Sequence, residues 1–232
     1  MLNKILENLD FHNRDLGIYL KSSRVEIDYL SITLHTTPCV SSRLIRLLKT
    51  SVQNSGALLN VESVHLSLNN HASRVLVSFQ PETLELIKLD SQNRKGEIEK
   101  LIQLEQFKRA KYVNVQMFAN SDPTLLCHFY HLKKFYIRLR SVDARLVKKC
   151  RKAHSNNANF VECQILSNQP LNLLKIGTAL GATVNESMRR FKHSYTNPHT
   201  GKTLRFIFAM DYFQIHSYIN SDSSSDDSSD DD

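Results

Sequence analysis

One pattern recurs through the chain and limits what it can fold into. It reads apolar, two spacers, apolar, one spacer, apolar, usually followed by another spacer and apolar residue. The copies are Ile27-x-x-Leu30-x-Ile32-x-Leu34, Val61-x-x-Val64-x-Leu66-x-Leu68, the shorter Leu84-x-x-Ile87-x-Leu89, Ala110-x-x-Val113-x-Val115-x-Met117 and Leu132-x-x-Phe135-x-Ile137-x-Leu139. A weaker sixth is Ala158-x-x-Val161-x-Cys163-x-Ile165. Taking the second apolar position as anchor, the copies are spaced 34, 23, 26, 22 and 26 residues apart. A period of this size accommodates one strand and one helix per unit.

The stretches between the copies carry helical spacing. Leu44, Ile45, Leu47, Leu48 and Val52 follow the candidate caps Ser41 and Ser42. Ile98, Leu101 and Ile102 predict a helix within 97–110. Leu146, Val147 and Cys150 predict another after Asp143. Leu171, Leu174 and Leu180 form a further stretch that Gly181 would stop. The segment from Val75 to Phe79 has room for about one helical turn. Strand–helix–strand units imply parallel strands. A sheet covered on both faces would show near-continuous apolar strands. Here Ser31, Thr33, His65, Ser67, Asn114, Gln116, Tyr136 and Arg138 interrupt the apolar positions, so one face of the sheet is expected to be wet. The expected fold is therefore α/β: a leucine-rich-repeat-like strand–helix solenoid with a parallel sheet. Residues 1–14 read as a lead-in helix and 15–220 as the repeat domain.

The character changes after Gly181. Residues 187–195, 202–209 and 212–219 read as strands, with Thr196-Asn197-Pro198-His199-Thr200-Gly201 as a turn between the first two. This segment, 187–219, is expected to form an antiparallel β-meander that caps the C-terminal end of the solenoid. Residues 221–232 follow, with six Asp and neither Lys nor Arg. Of 30 basic and 23 acidic residues, the remainder keeps 30 and 17, a net +13 against −6 in this stretch. A Ser/Asp run with no apolar residue is expected to be disordered. Ser223, Ser224, Ser228 and Ser229 each precede an Asp by three residues and are phosphoacceptor candidates for acid-directed kinases.

No apolar run approaches the roughly 20 residues of a membrane helix, and the N-terminus lacks the apolar core of a secretory signal. Cys39, Cys127, Cys150 and Cys163 are sparse and are expected to be reduced thiols of an intracellular protein, cytoplasmic or nuclear. There is no G-x-x-x-x-G-K-[ST], G-x-G-x-x-G or G-x-S-x-G motif, and six glycines leave little for a phosphate-cradling loop. Cys127-His128-x-x-His131 has no fourth ligand at a zinc-like spacing. No enzyme activity, cofactor or metal is expected. Two basic groups stand out: Arg138, Arg140, Arg145, Lys148, Lys149, Arg151 and Lys152, then Arg189, Arg190, Lys192 and His193. They support an alternative in which the chain binds RNA or another polyanion, although no RNA-recognition, K-homology or helix-turn-helix pattern occurs.

With parallel adjacent strands, Ser31, Thr33, His65, Ser67, Lys88, Asp90, Asn114, Gln116, Tyr136, Arg138, Glu162 and Gln164 would project from the wet face as a surface for another protein. Tyr136 and Arg138 are the expected anchors, since Tyr and Arg are enriched where interface energy concentrates.

Several segments resemble the nematode F-box-associated FTH domain. Leu104-Glu105-Gln106-Phe107-Lys108-Arg109-Ala110-Lys111 is similar to its LEQWKxAK helix end, and His128 to Phe135 to its HxxHFxxF approach to a strand. Ser141 to Ile165 resembles its helix followed by an F-x-x-C-x-I strand, and the segment with Phe206, Phe208, Tyr212 and Phe213 its closing hairpin. The likeness runs over about residues 15–219. It implies a non-catalytic recognition module of the ubiquitin-ligase adaptor family, in which such domains select partners for cullin-type ligases; one member instead pairs with an RNA-binding protein. The chain departs from the family in carrying no Leu-Pro opening and too few residues ahead of the likeness for an F-box, so the F-box is expected to be absent. The acidic stretch is a second departure.

Overall fold

A computed structural model describes residues 26–33, 45–46, 50, 58–67, 72–90, 96–115 and 121–218. The expected lead-in helix, Cys39 and the acidic stretch lie outside the described residues, as does Gln116. Among the described residues nine strands form one open sheet: β1 (Glu26–Thr33), β2 (Asn60–Ser67), β3 (Leu86–Leu89), β4 (Tyr112–Val115), β5 (Lys134–Leu139), β6 (Glu162–Ser167), β7 (Arg190–Thr196), β8 (Thr203–Ala209) and β9 (Tyr212–Tyr218). Their spatial order is β1-β2-β3-β4-β5-β6-β9-β8-β7. The first six run parallel in chain order, and the last three form an antiparallel meander.

Alternation builds the core. Leu30, Val64, Ile87, Val113, Phe135 and Cys163 are register partners from strand to strand, and the row continues through Ile215 and Phe206. Every one of these side chains is buried. Helix residues join the same core from that side: Val75 and Leu76 of α1 (Ala72–Leu76), Ile98 and Leu101 of α2 (Glu97–Leu101), Phe107 of α3 (Glu105–Arg109), Val147 and Cys150 of α4 (Ala144–Asn156), and Ile176 of α5 (Leu173–Leu180). Repeats are also tied edge to edge by a recurring backbone device. The carbonyl of Glu85 accepts from the amides of Lys111 and Tyr112, that of Lys111 from Lys133 and Lys134, and that of Lys133 from Val161 and Glu162.

Four details differ from the sequence pattern. First, the helix expected over 97–110 is two helices, broken where Leu104 is extended (φ −73°, ψ 141°). In one continuous helix at about 100° per residue, Phe107 would stand about 180° from Ile98, away from the core. The break turns it inward, where its ring meets Phe129 edge-on at 5.1 Å. Second, the sixth strand aligns Phe135 with Cys163, not Val161, which is 51% exposed; Phe160 is the buried residue. A slip of two residues preserves the face, so the pattern still looked regular. Third, β4 and β5 are joined through a 3-10 helix, Pro123–Phe129, started by Asp122, whose carboxylate accepts from the Thr124 amide. Fourth, the expected antiparallel meander covers the last parallel strand through its own last strand, with β9 and not β7 beside β6. β9 takes the inner place because Phe213 and Ile215 are wholly buried, while β7 supplies Arg190, Lys192 and Ser194 to the outer edge. Charged and polar residues are what a free edge requires.

Helix ends follow local chemistry. Asp143 caps α4 by accepting from the Leu146 amide at 2.7 Å, and Asn172 caps α5 through the Lys175 amide. Gly181 ends α5 in the left-handed conformation at φ 77°. Of the helix expected behind Ser41 and Ser42, Ile45, Arg46 and Thr50 are described, and all three are helical.

Gly177 of α5 answers to packing. A Cβ built there would lie 2.4 Å from Val184 Cγ2 and 2.9 Å from Val184 Cβ. Gly177→Ala should therefore destabilise the fold by about 1–3 kcal/mol despite its better helix propensity. Val184→Ala in the same chain should recover part of the loss, read as a double-mutant cycle in urea.

His154 sits at the centre of an aromatic cluster, stacked 3.9 Å from the Phe160 ring and edge-on to Tyr130. Neither of its ring nitrogens has a hydrogen-bond partner. Burial, assisted by the nearby Lys202 ammonium, pushes its imidazole down to about 3 from 6.5. Between those values the unfolded chain binds the extra proton. This contribution to stability is complete above about pH 6.5 and is lost on acidification toward 3, at about 1.4 kcal/mol per pH unit. His154→Leu should flatten the difference between urea midpoints measured at pH 7 and pH 5.

Candidate interaction face

The side of the sheet opposite the helices carries one continuous row of register partners: Ser31, His65, Lys88, Asn114, Tyr136, Gln164, Gln214, Ile207 and Lys192. At about 4.8 Å per strand it extends about 38 Å. Ser31, His65, Lys88, Asn114, Tyr136 and Gln164 are all half-buried, as are Ser67, Asp90, Arg138 and Glu162, whereas Thr33 on β1 is exposed. The strands thus bring together eleven of the twelve residues chosen from periodicity; the twelfth, Gln116, lies outside the described residues.

At the β1–β3 end the face holds a chain of polar contacts. The Tyr29 hydroxyl meets His65 Nδ1 at 3.3 Å, His65 Nε2 meets Asp90 Oδ2 at 2.5 Å, and Lys88 Nζ stands 3.6 Å from the same carboxylate. Both ring nitrogens of His65 are engaged. The imidazole is therefore oriented by its neighbours.

At the centre lies a depression of about 350 Å³, lined by Leu86, Ile87, Lys88, Tyr112, Val113, Asn114, Lys134 and Tyr136. Its floor is apolar and aromatic. Its rim is held by a small network in which the Tyr136 hydroxyl donates to Glu162 Oε1 at 3.1 Å and Lys134 Nζ pairs with Glu162 Oε2 at 3.0 Å. The Lys134 ammonium is raised above its ordinary range, first by its hydrogen bond to Tyr136 and then by Glu162, against the opposing effect of burial. Arg138, one step along β5, donates to Asn168 Oδ1 at 3.5 Å. Leu86, Tyr112 and Lys134 were missed by sequence reasoning. They precede the chosen residues by two positions on their strands and so share the face. Extending the alternation N-terminally finds Tyr112 and Lys134, while Leu86 reads as core in any apolar count.

The Cys127-His128-x-x-His131 cluster is elsewhere, beside a second depression of about 420 Å³ near α3. Cys127 Sγ donates to the Thr124 carbonyl at 3.2 Å, and His131 Nε2 contacts the Phe107 carbonyl at 3.3 Å. Among the described residues no three His, Cys, Asp or Glu side chains converge as metal ligands. Cys127 is exposed, because its 3-10 helix turns it outward. Cys150 and Cys163 are buried thiols, and burial pushes Cys150 up to about 12.

Glu162 is the keystone of the central rim. Glu162→Ala should cost about 1–2 kcal/mol by leaving Lys134 and the Tyr136 hydroxyl without their shared acceptor. Glu162→Gln should cost less, and chemical denaturation of both variants checks the order.

A comparison with curated proteins finds no match. The FTH domain model matches residues 42–179, more than half of the 232-residue chain and the span that runs through β2 to β6 and on into α5. With its repeated strand–helix units and the motif-bearing segments around Gln106, His131 and Cys163 inside that span, the chain belongs to the FTH domain family.

Proposed function

We propose that the chain is a non-catalytic protein-recognition module that seats its partner on the open face of the sheet. The observation that carries this is the central depression, where Leu86, Tyr112 and Tyr136 offer apolar and aromatic surface between the polar groups of Lys88, Asn114 and Lys134. An apolar floor inside a polar rim is the anatomy of an interface centre. A half-buried sheet face with no helix of the described residues packed on it also supports a leucine-rich-repeat-like course for the parallel part, in which helices occupy one side and the strands present the other. The family's association with F-box proteins makes partner selection the natural task of such a face. On this proposal the chain acts inside the cell, with Cys150 and Cys163 as reduced thiols, and needs no cofactor. No helix of the described residues is long and apolar enough to cross a membrane.

The test is affinity purification of the tagged, nuclease-treated chain from its own source, in parallel with variants of the face. A partner held by this face should be recovered by the parent chain and lost with Leu86→Glu. Tyr136→Ala and Arg138→Ala should each weaken it by at least about 2 kcal/mol, or some thirtyfold in Kd. Circular dichroism must show that the variants stay folded. A partner retained by all three folded variants would place recognition elsewhere on the molecule. Co-purification of cullin-ligase subunits would tie the module to ubiquitin transfer; their absence beside a specific partner would describe an interaction protein acting outside a ligase.

A further inference from the structure

Most of the first basic group lies on helix α4, on the side of the sheet away from the open-face depression, and it meets the second group through His193 of β7. Helix α4 contains five Lys or Arg residues and no Asp or Glu between Ala144 and Asn156. Arg145, Lys148, Lys149 and Lys152 are exposed. Arg151 lies over the ring of Tyr195 on β7 at 4.7 Å. It is also close enough to His193 to add to the effect of burial in lowering that imidazole. Arg190 and Lys192 have the other parity and project from the open side of the same edge strand, so they are not part of this surface.

This corner lacks counter-charge. Every ion pair among the described residues uses a base at or before Arg140. Residues 144–220 hold eleven Lys or Arg against three Asp or Glu. The complementary charge lies in the next segment, where 221–232 carries six Asp. Its attachment point is near the corner. Tyr218 at the end of β9 pairs with Thr203, which pairs with Thr196 at the end of β7. The following turn reaches α4, with Asn197 Nδ2 and Thr200 Oγ1 both donating to the Ser155 carbonyl. Twelve residues span up to about 40 Å, and α4, with 13 residues, is about 20 Å long.

We propose that the basic surface of α4, beside the end of β7, is the intramolecular docking surface of the acidic segment 221–232, which occupies it in competition with external polyanions. A segment tethered this close acts at an effective concentration in the millimolar range, so a weak electrostatic contact suffices to keep it docked.

The test is lysine footprinting of the full chain. Acetylation rates by an amine-reactive ester are followed by mass spectrometry, with and without Asp→Asn at positions 222, 226, 227, 230, 231 and 232. Lys148, Lys149 and Lys152 should react about threefold more slowly in the parent chain than in the Asn variant, the ratio expected if the tethered segment is docked most of the time. Lys100 and Lys108, on α2 and α3, should react alike in both. The protection should vanish in 1 M salt and be independent of protein concentration. Equal rates at the corner in the two chains, or a change spread evenly over all lysines, would overturn the proposal. Protection that grows with protein concentration would overturn it in favour of a contact between copies. Equal rates with strong protection by an added single-stranded RNA would assign the corner to nucleic acid. Circular dichroism of the Asn variant, matched to the parent chain, keeps misfolding from confounding the readout.

Discussion

The structure depends on one constraint: each strand must put alternate residues on the same side as its neighbours. The row from Leu30 through Phe135 and Cys163 to Phe206 is buried in eight strands, and eight residues from separate parts of the chain have to agree in parity for it to exist. A one-residue slip in any strand would exchange its core side chains for its exposed ones. The paired amides that converge on the Glu85, Lys111 and Lys133 carbonyls resist such slips, because they fix where each strand enters the sheet. The same parity that buries one face determines the composition of the other, so the open face and the core are two outcomes of one pattern.

Much of this was legible because period two survives small errors. The six parallel strands and their order follow from copies of the apolar pattern, and even the misaligned sixth copy left Glu162 and Gln164 on the correct side. What escaped depended on distant contacts. Ile98, Leu101 and Ile102 begin a regular helix, and only the position of Phe129 explains why the chain breaks at Leu104 to aim Phe107 inward. The inversion of the last three strands depends on which of them can tolerate an edge, a comparison of burial that local propensity does not make. Leu86 shows the limit most clearly for the face: an apolar residue in a partly exposed row is indistinguishable in sequence from one in the core.

Charge is distributed as unevenly as burial. Around the central depression the lysines are matched: Lys134 has Glu162, and Lys88 has Asp90. Matched pairs orient side chains and soften the field, which suits a surface that discriminates by shape and by a few anchors. Around α4 and the edge strand the cations are unmatched, which produces a field of one sign with little shape. The molecule therefore presents two surfaces of different physical kind, one contoured and internally paired in charge, the other of a single sign.

The turn after β7 has a consequence for how the chain is made. Helix α4 ends in carbonyls that its own residues do not satisfy, and the partners come from much later in the sequence. Asn197 and Thr200 bond the Ser155 carbonyl, and the Lys202 ammonium, lowered by its burial, donates to the carbonyls of Asn157 at 2.5 Å and Phe160 at 2.9 Å. Strand β6 likewise waits for β9, the last of the described strands in chain order, to cover its outer edge. During vectorial synthesis the parallel strands can accumulate one by one, but the growing sheet keeps a live edge and a frayed helix end until the final hairpin emerges. The meander is thus the closing step of assembly, and a nascent chain stalled before it would present to its surroundings an unpaired strand of the kind that invites aggregation.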